Sequence, residues 1–144
     1  MPITKQEFYE GAALHKLARS GTITSLSYEP PLFTINGSLL ACLKYSTRNR
    51  TPWGFTFTPD EQRLLRKKGA TNPLVIGLVC GSDGIVTLPY ESFLQIAPPE
   101  RRAIHVSCYR KHGEHYCVYG PEGELDRKVA PSNWARVLQK MEII

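Results

Sequence analysis

Apolar residues spaced three and four positions apart predict helices in several parts of the chain. Thr4 to Glu7 is a capping box ahead of an apolar stripe, so a first helix is expected over about residues 5–20, with Gly21 as its terminator. A second capping box, Thr58 to Glu61, has proline at the first helical position and opens a short helix that stops at Gly69.

Two further helices are predicted in the second half. Residues 90–96 form a short one, followed by Pro98 and Pro99. The last helix is expected to be capped by Ser132 and to carry four apolar residues: Trp134, Val137, Leu138 and Met141.

Alternating positions around Asn36-Gly37 predict a hairpin, because this pair readily adopts the positive φ angles of a two-residue turn. On its second strand one face carries Leu39, Ala41, Leu43 and Tyr45, and the other carries Leu40, Cys42, Lys44 and Ser46. The pattern therefore places Lys44 on an otherwise apolar face. A desolvated ammonium there costs free energy unless a partner compensates it, and such violations of local rules often mark functional sites.

Strands are also predicted elsewhere, at residues 23–28, 53–57, 73–80 and 85–88, with a second hairpin over 103–109 and 115–119. The run at 73–80 is continuously apolar, which is typical of a strand covered on both faces. We expect one α/β or α+β domain over residues 1–144, with a mixed central sheet and helices on its faces.

Composition agrees with a folded domain and leaves function open. Of 144 residues, 42% are hydrophobic and 22% charged, with no apolar run of membrane-spanning length and no signal peptide. We therefore expect a cytoplasmic protein without membrane contact. The net charge of +5 suits either an anionic partner such as nucleic acid or an ordinary solvated surface.

The cysteines do not form a metal-binding motif. The four are Cys42, Cys80, Cys108 and Cys117, and none has C-x-x-C spacing. A turn at His112-Gly113 would place Cys108 opposite Cys117, where a disulfide could span the hairpin, whereas strand alternation separates His105 from Cys108. We expect core cysteines and surface histidines, with no metal site here.

The order helix, strand, hairpin and helix, with Lys44 ending the hairpin, resembles the PD-(D/E)xK restriction-endonuclease-like superfamily over roughly residues 5–90, and especially its Holliday-junction-resolvase-like branch. The resemblance implies a hairpin that begins with Pro-Asp and returns with acid-x-Lys. The two acids would hold a divalent metal, and the lysine would steady the attacking water. Here Pro30-Pro31 and Cys42-Leu43-Lys44 stand at those places, and residue 31 is expected opposite residue 42.

Both metal-ligand positions therefore lack a carboxylate, whereas magnesium prefers hard oxygen donors. Displaced acids are the alternative, with Glu29 expected across from Lys44 and Glu10 on the first helix facing the sheet edge. Glu29 could instead form an ion pair with Lys44 that has no catalytic role. No cofactor is expected unless the chain cleaves nucleic acid, in which case Mg²⁺ or Mn²⁺ would be needed.

Lys44 and the basic residues after the hairpin are candidate nucleic-acid-binding residues. Arg48 and Arg50 lie in a polar loop, and Trp53 beside them could stack on a base, although its alternation with Phe55 and Phe57 also fits a strand facing the core. The basic residues of the second helix are equally well explained by a favourable interaction with the negative end of the helix dipole.

We therefore carry three hypotheses. The chain is a catalytically degenerate nuclease-like domain that binds nucleic acid, DNA rather than RNA, or scaffolds a partner that does. Alternatively, it is a metal-dependent endonuclease whose catalytic residues are Lys44, Glu29 and Glu10, or a protein-interaction domain. A homodimer through the second hairpin is conceivable.

Overall fold

The computed structural model describes residues 2–142, with side chains up to residue 139. The helices are α1 (Lys5–Ser20), α2 (Pro59–Gly69), α3 (Tyr90–Ile96) and α4 (Val137–Glu142), the last preceded by a 3-10 helix over Pro131–Arg136. The strands are β1 (Leu26–Glu29), β2 (Leu32–Ile35), β3 (Leu39–Ser46), β4 (Trp53–Phe57), β5 (Leu74–Cys80), β6 (Gly84–Pro89), β7 (Ile104–Tyr109), β8 (Cys117–Gly120) and β9 (Gly123–Glu124).

The N-terminal ends of α1 and α2 are set by side chains close in sequence. Thr4 and Thr58 each accept a hydrogen bond from the backbone of the third helical residue, and Glu7 and Glu61 bond back to the caps. Both predicted capping boxes are thus confirmed, because each satisfies backbone N–H groups that a helix start leaves without partners.

The strands form two sheets. The first has the order β1-β2-β3-β5-β6 and is mixed, because β3 and β5 run parallel while the other neighbours are antiparallel. Strand β5 is buried along its whole length, as its apolar run predicted. The second sheet has the order β4-β7-β8-β9 and is antiparallel. The predicted α+β class with a mixed sheet and flanking helices is confirmed, and the C-terminal hairpin belongs to the second sheet.

The two faces of the first sheet are covered differently. One face packs on the second sheet together with α2 and α3, through residues such as Ile76, Leu78 and Phe57. The other packs on α1 and the C-terminal helices, where Trp134 Nε1 donates to the backbone oxygen of Ala13 at 2.9 Å. Helices thus cover one face of the first sheet, and the second sheet covers much of the other. Residues of β3 and α2 line a common cleft on that second face.

Each predicted hairpin register is wrong by one residue. Asn36 and Gly37 do form the turn, with φ of 54° and 74°, but Ser38 adds a third loop residue, so Ile35 pairs with Leu39 and Leu32, not Pro31, lies opposite Cys42. The two faces of β3 are nevertheless as predicted.

In the second hairpin Tyr109 pairs with Cys117, so Cys108 lies opposite Val118 instead. All four cysteines are free and buried, and the histidines at 105, 112 and 115 are exposed, as expected for core thiols and surface imidazoles.

The C-terminus begins differently from the prediction. Ala130 precedes the 3-10 helix and Pro131 occupies its first turn, so Ser132 is not the cap. Trp134, Val137 and Leu138 are buried as expected, whereas the side chain of Met141 lies outside the described residues. Between residues 2 and 142, none of the helices has the length and apolar character needed to cross a membrane.

Candidate functional site

Lys44 lies near the end of β3 on the face that meets the second sheet. Its Nζ donates to Glu61 Oε2 at 2.5 Å and lies 5.0 Å from the centre of the Phe57 ring. The side chains of Lys44 and Glu61 are each 20% exposed. The half-buried ammonium is therefore compensated by an ion pair and an aromatic face, which explains why a lysine is tolerated on an apolar strand face.

Glu61 was not predicted as the partner of Lys44. Its Oε1 accepts from the backbone N of Thr58 at 2.9 Å while its Oε2 accepts from Lys44, so one carboxylate caps α2 and neutralises the lysine. Burial alone would raise the pKa of Glu61, but the hydrogen bonds and charge of Lys44 and the bonds of Thr58 outweigh it and lower the pKa. The sequence signalled only the capping role.

Glu29 does not occupy the predicted position. It ends β1, is exposed, and lies opposite Leu32 in the β1–β2 pair, because the chain reverses at Pro30-Pro31. The expected pairing with Lys44 is wrong, since it assumed that residues 29 and 32 continue in one strand.

Glu10 faces the sheet as expected. It is 9% exposed, and its Oε2 accepts from Gln6 Nε2 at 3.1 Å. Burial raises the pKa of Glu10, an effect that the Gln6 hydrogen bond partly offsets. A cleft of about 320 Å³ is lined by this glutamate together with Lys44 and Glu61. Two carboxylates and a lysine therefore share one cleft, contributed by α1, β3 and α2.

The side chains of this cleft do not fit an octahedral magnesium ion. At the hairpin positions Pro31 and Leu32 carry no ligand atom, and burial raises the pKa of the fully buried Cys42 thiol to about 12. Each oxygen of Glu61 already accepts one hydrogen bond, from Thr58 N or from Lys44 Nζ. Among residues 2–142 no group of three or more His, Cys, Asp or Glu side chains could hold a metal together.

The loop between β3 and β4 presents Arg48 and Arg50 to solvent. Two hydrogen bonds fix the backbone of this loop. Trp53 Nε1 donates to the carbonyl of Arg48 at 3.0 Å, and Gly81 N donates to Ser46 O at 2.9 Å. Gly81 has φ of 54°, and a Cβ there would collide with the Arg48 carbonyl, so only glycine suits this contact. Two exposed guanidinium groups therefore stand on an anchored loop.

The prediction that Trp53 stacks on a base is wrong. The side chain is 2% exposed and packs edge-on against Tyr116, so no ring face is available to a ligand. The competing prediction, a core-facing strand over Trp53–Phe57, is confirmed.

A polar cluster that the sequence did not reveal joins the two sheets. Asp83, in the β5–β6 turn, accepts through Oδ2 from Arg110 Nε at 2.8 Å and from the Tyr116 hydroxyl at 2.5 Å. The Arg110 guanidinium lies 4.5 Å from the centre of the Tyr116 ring. Although burial opposes ionisation, the hydrogen bonds of Tyr116 and Arg110 lower the pKa of Asp83. This cluster clamps the second hairpin onto the first sheet.

No family model and no curated protein matches the sequence. Three chains among the solved structures match, one being a Holliday junction resolvase from the archaeal hyperthermophile Archaeoglobus fulgidus, with 17% identity, a TM-score of 0.38, and coverage of 57% of this chain and 76% of that chain. A likeness at this TM-score does not assign the chain to a family.

Proposed function

We propose that this chain is a nuclease-like domain that binds nucleic acid, preferably DNA, and does not cleave it. The observation that carries the proposal is the state of the cleft around Lys44. The hairpin offers no hard oxygen ligand at Pro31, Leu32 or Cys42, and the lysine that would face a phosphate is neutralised by Glu61. The cleft therefore lacks both the oxygen ligands for a metal ion and the unpaired lysine that cleavage of a phosphodiester would use.

The exposed arginines provide the positive charge that binding to phosphate groups requires. Arg48 and Arg50 extend from a loop whose backbone is anchored by Trp53 and Gly81, and neither forms an ion pair within the described residues. Guanidinium groups bind phosphates through paired hydrogen bonds, and an anchored loop loses little conformational entropy on binding. The net charge of +5 favours the approach of a polyanion.

The test is a titration of fluorescent duplex, branched and single-stranded DNA at two salt concentrations with Mn²⁺ present, followed by denaturing gels. We expect salt-sensitive binding and intact DNA. Arg48→Ala and Arg50→Ala should each lower the salt slope by about one, with Arg19→Ala, an exposed arginine of α1, as the matched control. Absence of binding to every DNA would refute the proposal and favour a protein-interaction domain.

A second candidate is a metal-dependent endonuclease with displaced carboxylates. It is favoured by one observation, the common cleft of Glu10, Glu61 and Lys44. In this case Glu61, and not Glu29, would be the second acid. Mn²⁺-dependent cutting that disappears in Glu10→Gln and in Lys44→Ala but persists in Glu29→Gln would establish it and overturn the non-catalytic proposal.

A further inference from the structure

The second sheet has an outer face that the hydrophobic core does not use. Along β7, Val106 and Cys108 are fully buried toward the first sheet, whereas His105 and Tyr109 point outward and are exposed. Across the sheet, Tyr119 of β8 shares the outward face, because it pairs with the outward Ser107. Aromatic rings are thus gathered on the solvent side of the second sheet.

Two of these rings form an ordered pair. Tyr109 and Tyr119 are nearly parallel, with 10° between their planes and 5.2 Å between centroids, and their hydroxyl groups share a hydrogen bond. Tyr109 is 37% exposed even so. A preformed stack can be extended by a further flat ring at little entropic cost.

The ring of His105, on β7, packs against the neighbouring strand β4. Gly54 of β4 pairs with Ser107, and a Cβ on it would lie 2.7 Å from the His105 ring, so the glycine lets the imidazole lie against the sheet. Its Nδ1 is 3.5 Å from Thr56 Oγ1. The ring is therefore held close to the strand, which is how an aromatic group serves a base as a stacking surface.

Exposed arginines lie at both ends of this face. Arg101 and Arg102 are separated by one residue from the start of β7. The loop with Arg48 and Arg50 leads into β4, whose first residue pairs near the opposite end of β7. None of the four forms an ion pair within the described residues. A strand of this length spans about 17 Å, so cations bracket the aromatic rings at a distance of a few nucleotides.

The acidic groups limit the path of a ligand. Glu124 on β9 lies opposite Tyr119, at the far edge of the sheet, where a phosphate would be repelled. On the other side, Gly54 and Thr56 of β4 border the cleft of Glu10 and Glu61, so a polyanion is favoured along β7, between the two pairs of arginines.

We infer that this outer face binds single-stranded nucleic acid, with bases stacked on Tyr109, Tyr119 and His105 and phosphates held by the arginines at either end. The inference rests on the proposed function, because Arg48 and Arg50 serve both. Stacking platforms flanked by cations bind single strands, whose bases are free, in preference to duplexes, whose bases are paired and already stacked.

The test compares single-stranded and duplex DNA of equal length with wild type and four variants of the full chain. Tyr109→Ala and Tyr119→Ala should weaken single-strand binding by about five- to one-hundredfold and duplex binding by less than about twofold. Tyr109→Phe, which keeps the ring, should retain binding. Phe8→Ala removes an aromatic side chain that is 63% exposed on α1 and serves as the control.

The position of the binding site is tested by photocrosslinking an oligonucleotide that carries 5-iodouracil and mapping the attached peptides. Attachment to β7 or β8 is expected, and attachment confined to other segments would overturn the inference.

The outcomes separate this inference from the proposed function. Binding of both DNAs that is unaffected by the alanine variants, or weakened equally for single strand and duplex, would overturn the stacking face alone. No binding to either DNA would overturn both.

Discussion

Replacing Glu61 with glutamine removes the charge that faces Lys44 and little else. Glutamine keeps an oxygen that can accept from Thr58 N, so the capping box of α2 is retained. The variant therefore isolates the ion pair in the cleft from the helix cap that shares its carboxylate.

The expected loss of stability follows from the burial of the pair. Both side chains are 20% exposed, so the interaction lies between an exposed pair, worth about 0.2–1 kcal/mol, and a buried one, whose disruption costs about 3–5 kcal/mol. The single amide oxygen serves the cap, so the NH2 group that replaces Oε2 cannot accept from Lys44, and solvation of the partly exposed ammonium recovers part of the loss. We expect Glu61→Gln to lower the free energy of unfolding by about 1–2 kcal/mol.

The measurement is urea unfolding followed by the fluorescence of Trp53 and Trp134, which are buried in the two separate cores. A double-mutant cycle with Lys44→Met, which keeps the length of an apolar stem, should give a coupling energy of about 1 kcal/mol or more. A coupling below about 0.3 kcal/mol would refute the account of Lys44 as a lysine compensated by Glu61.

The pH dependence gives an independent check. Because the folded pKa of Glu61 is lowered, the carboxylate contributes stability that is present above its unfolded pKa and is lost as the pH falls through the folded value. The difference in unfolding free energy between wild type and Glu61→Gln should be constant from about pH 5 to 7 and should close below about pH 4. A difference in unfolding free energy that widens as the pH falls would contradict the lowered pKa of Glu61.

Three further substitutions test the supports around the site. Trp53→Phe removes the donor to the Arg48 carbonyl and should cost about 1–3 kcal/mol in urea unfolding, with faster amide hydrogen exchange in residues 47–51; unchanged exchange would contradict the anchoring role. Gly81→Ala should cost about 2 kcal/mol or more in the same assay, because its φ of 54° and the nearby Arg48 carbonyl both oppose a Cβ; a neutral result would contradict this. Asp83→Asn should lower stability at neutral pH by about 1 kcal/mol through its contact with Arg110, and thermal melts against pH should show wild type losing this advantage as the pH falls below about 4, since the folded pKa of Asp83 is lowered.

What the sequence alone determined about this protein is mostly local. The first and second capping boxes, the bounds of α3, the turn at Asn36-Gly37 and the buried β5 all follow from residues within a few positions of one another. Such interactions are encoded by spacing, because the groups that meet are held close by the chain itself. The face of β3 that carries Lys44 was predictable for the same reason.

Only the tertiary structure decided which distant groups meet. The pairing of β4 with β7 depends on where two apolar faces can be buried together, and it places α2, and hence Glu61, beside Lys44. The same packing buries Trp53, whose alternation was compatible with either exposure or burial. The exposed rings and arginines that form one face come from strands whose order no local pattern specifies, since strand pairing is settled by the whole core.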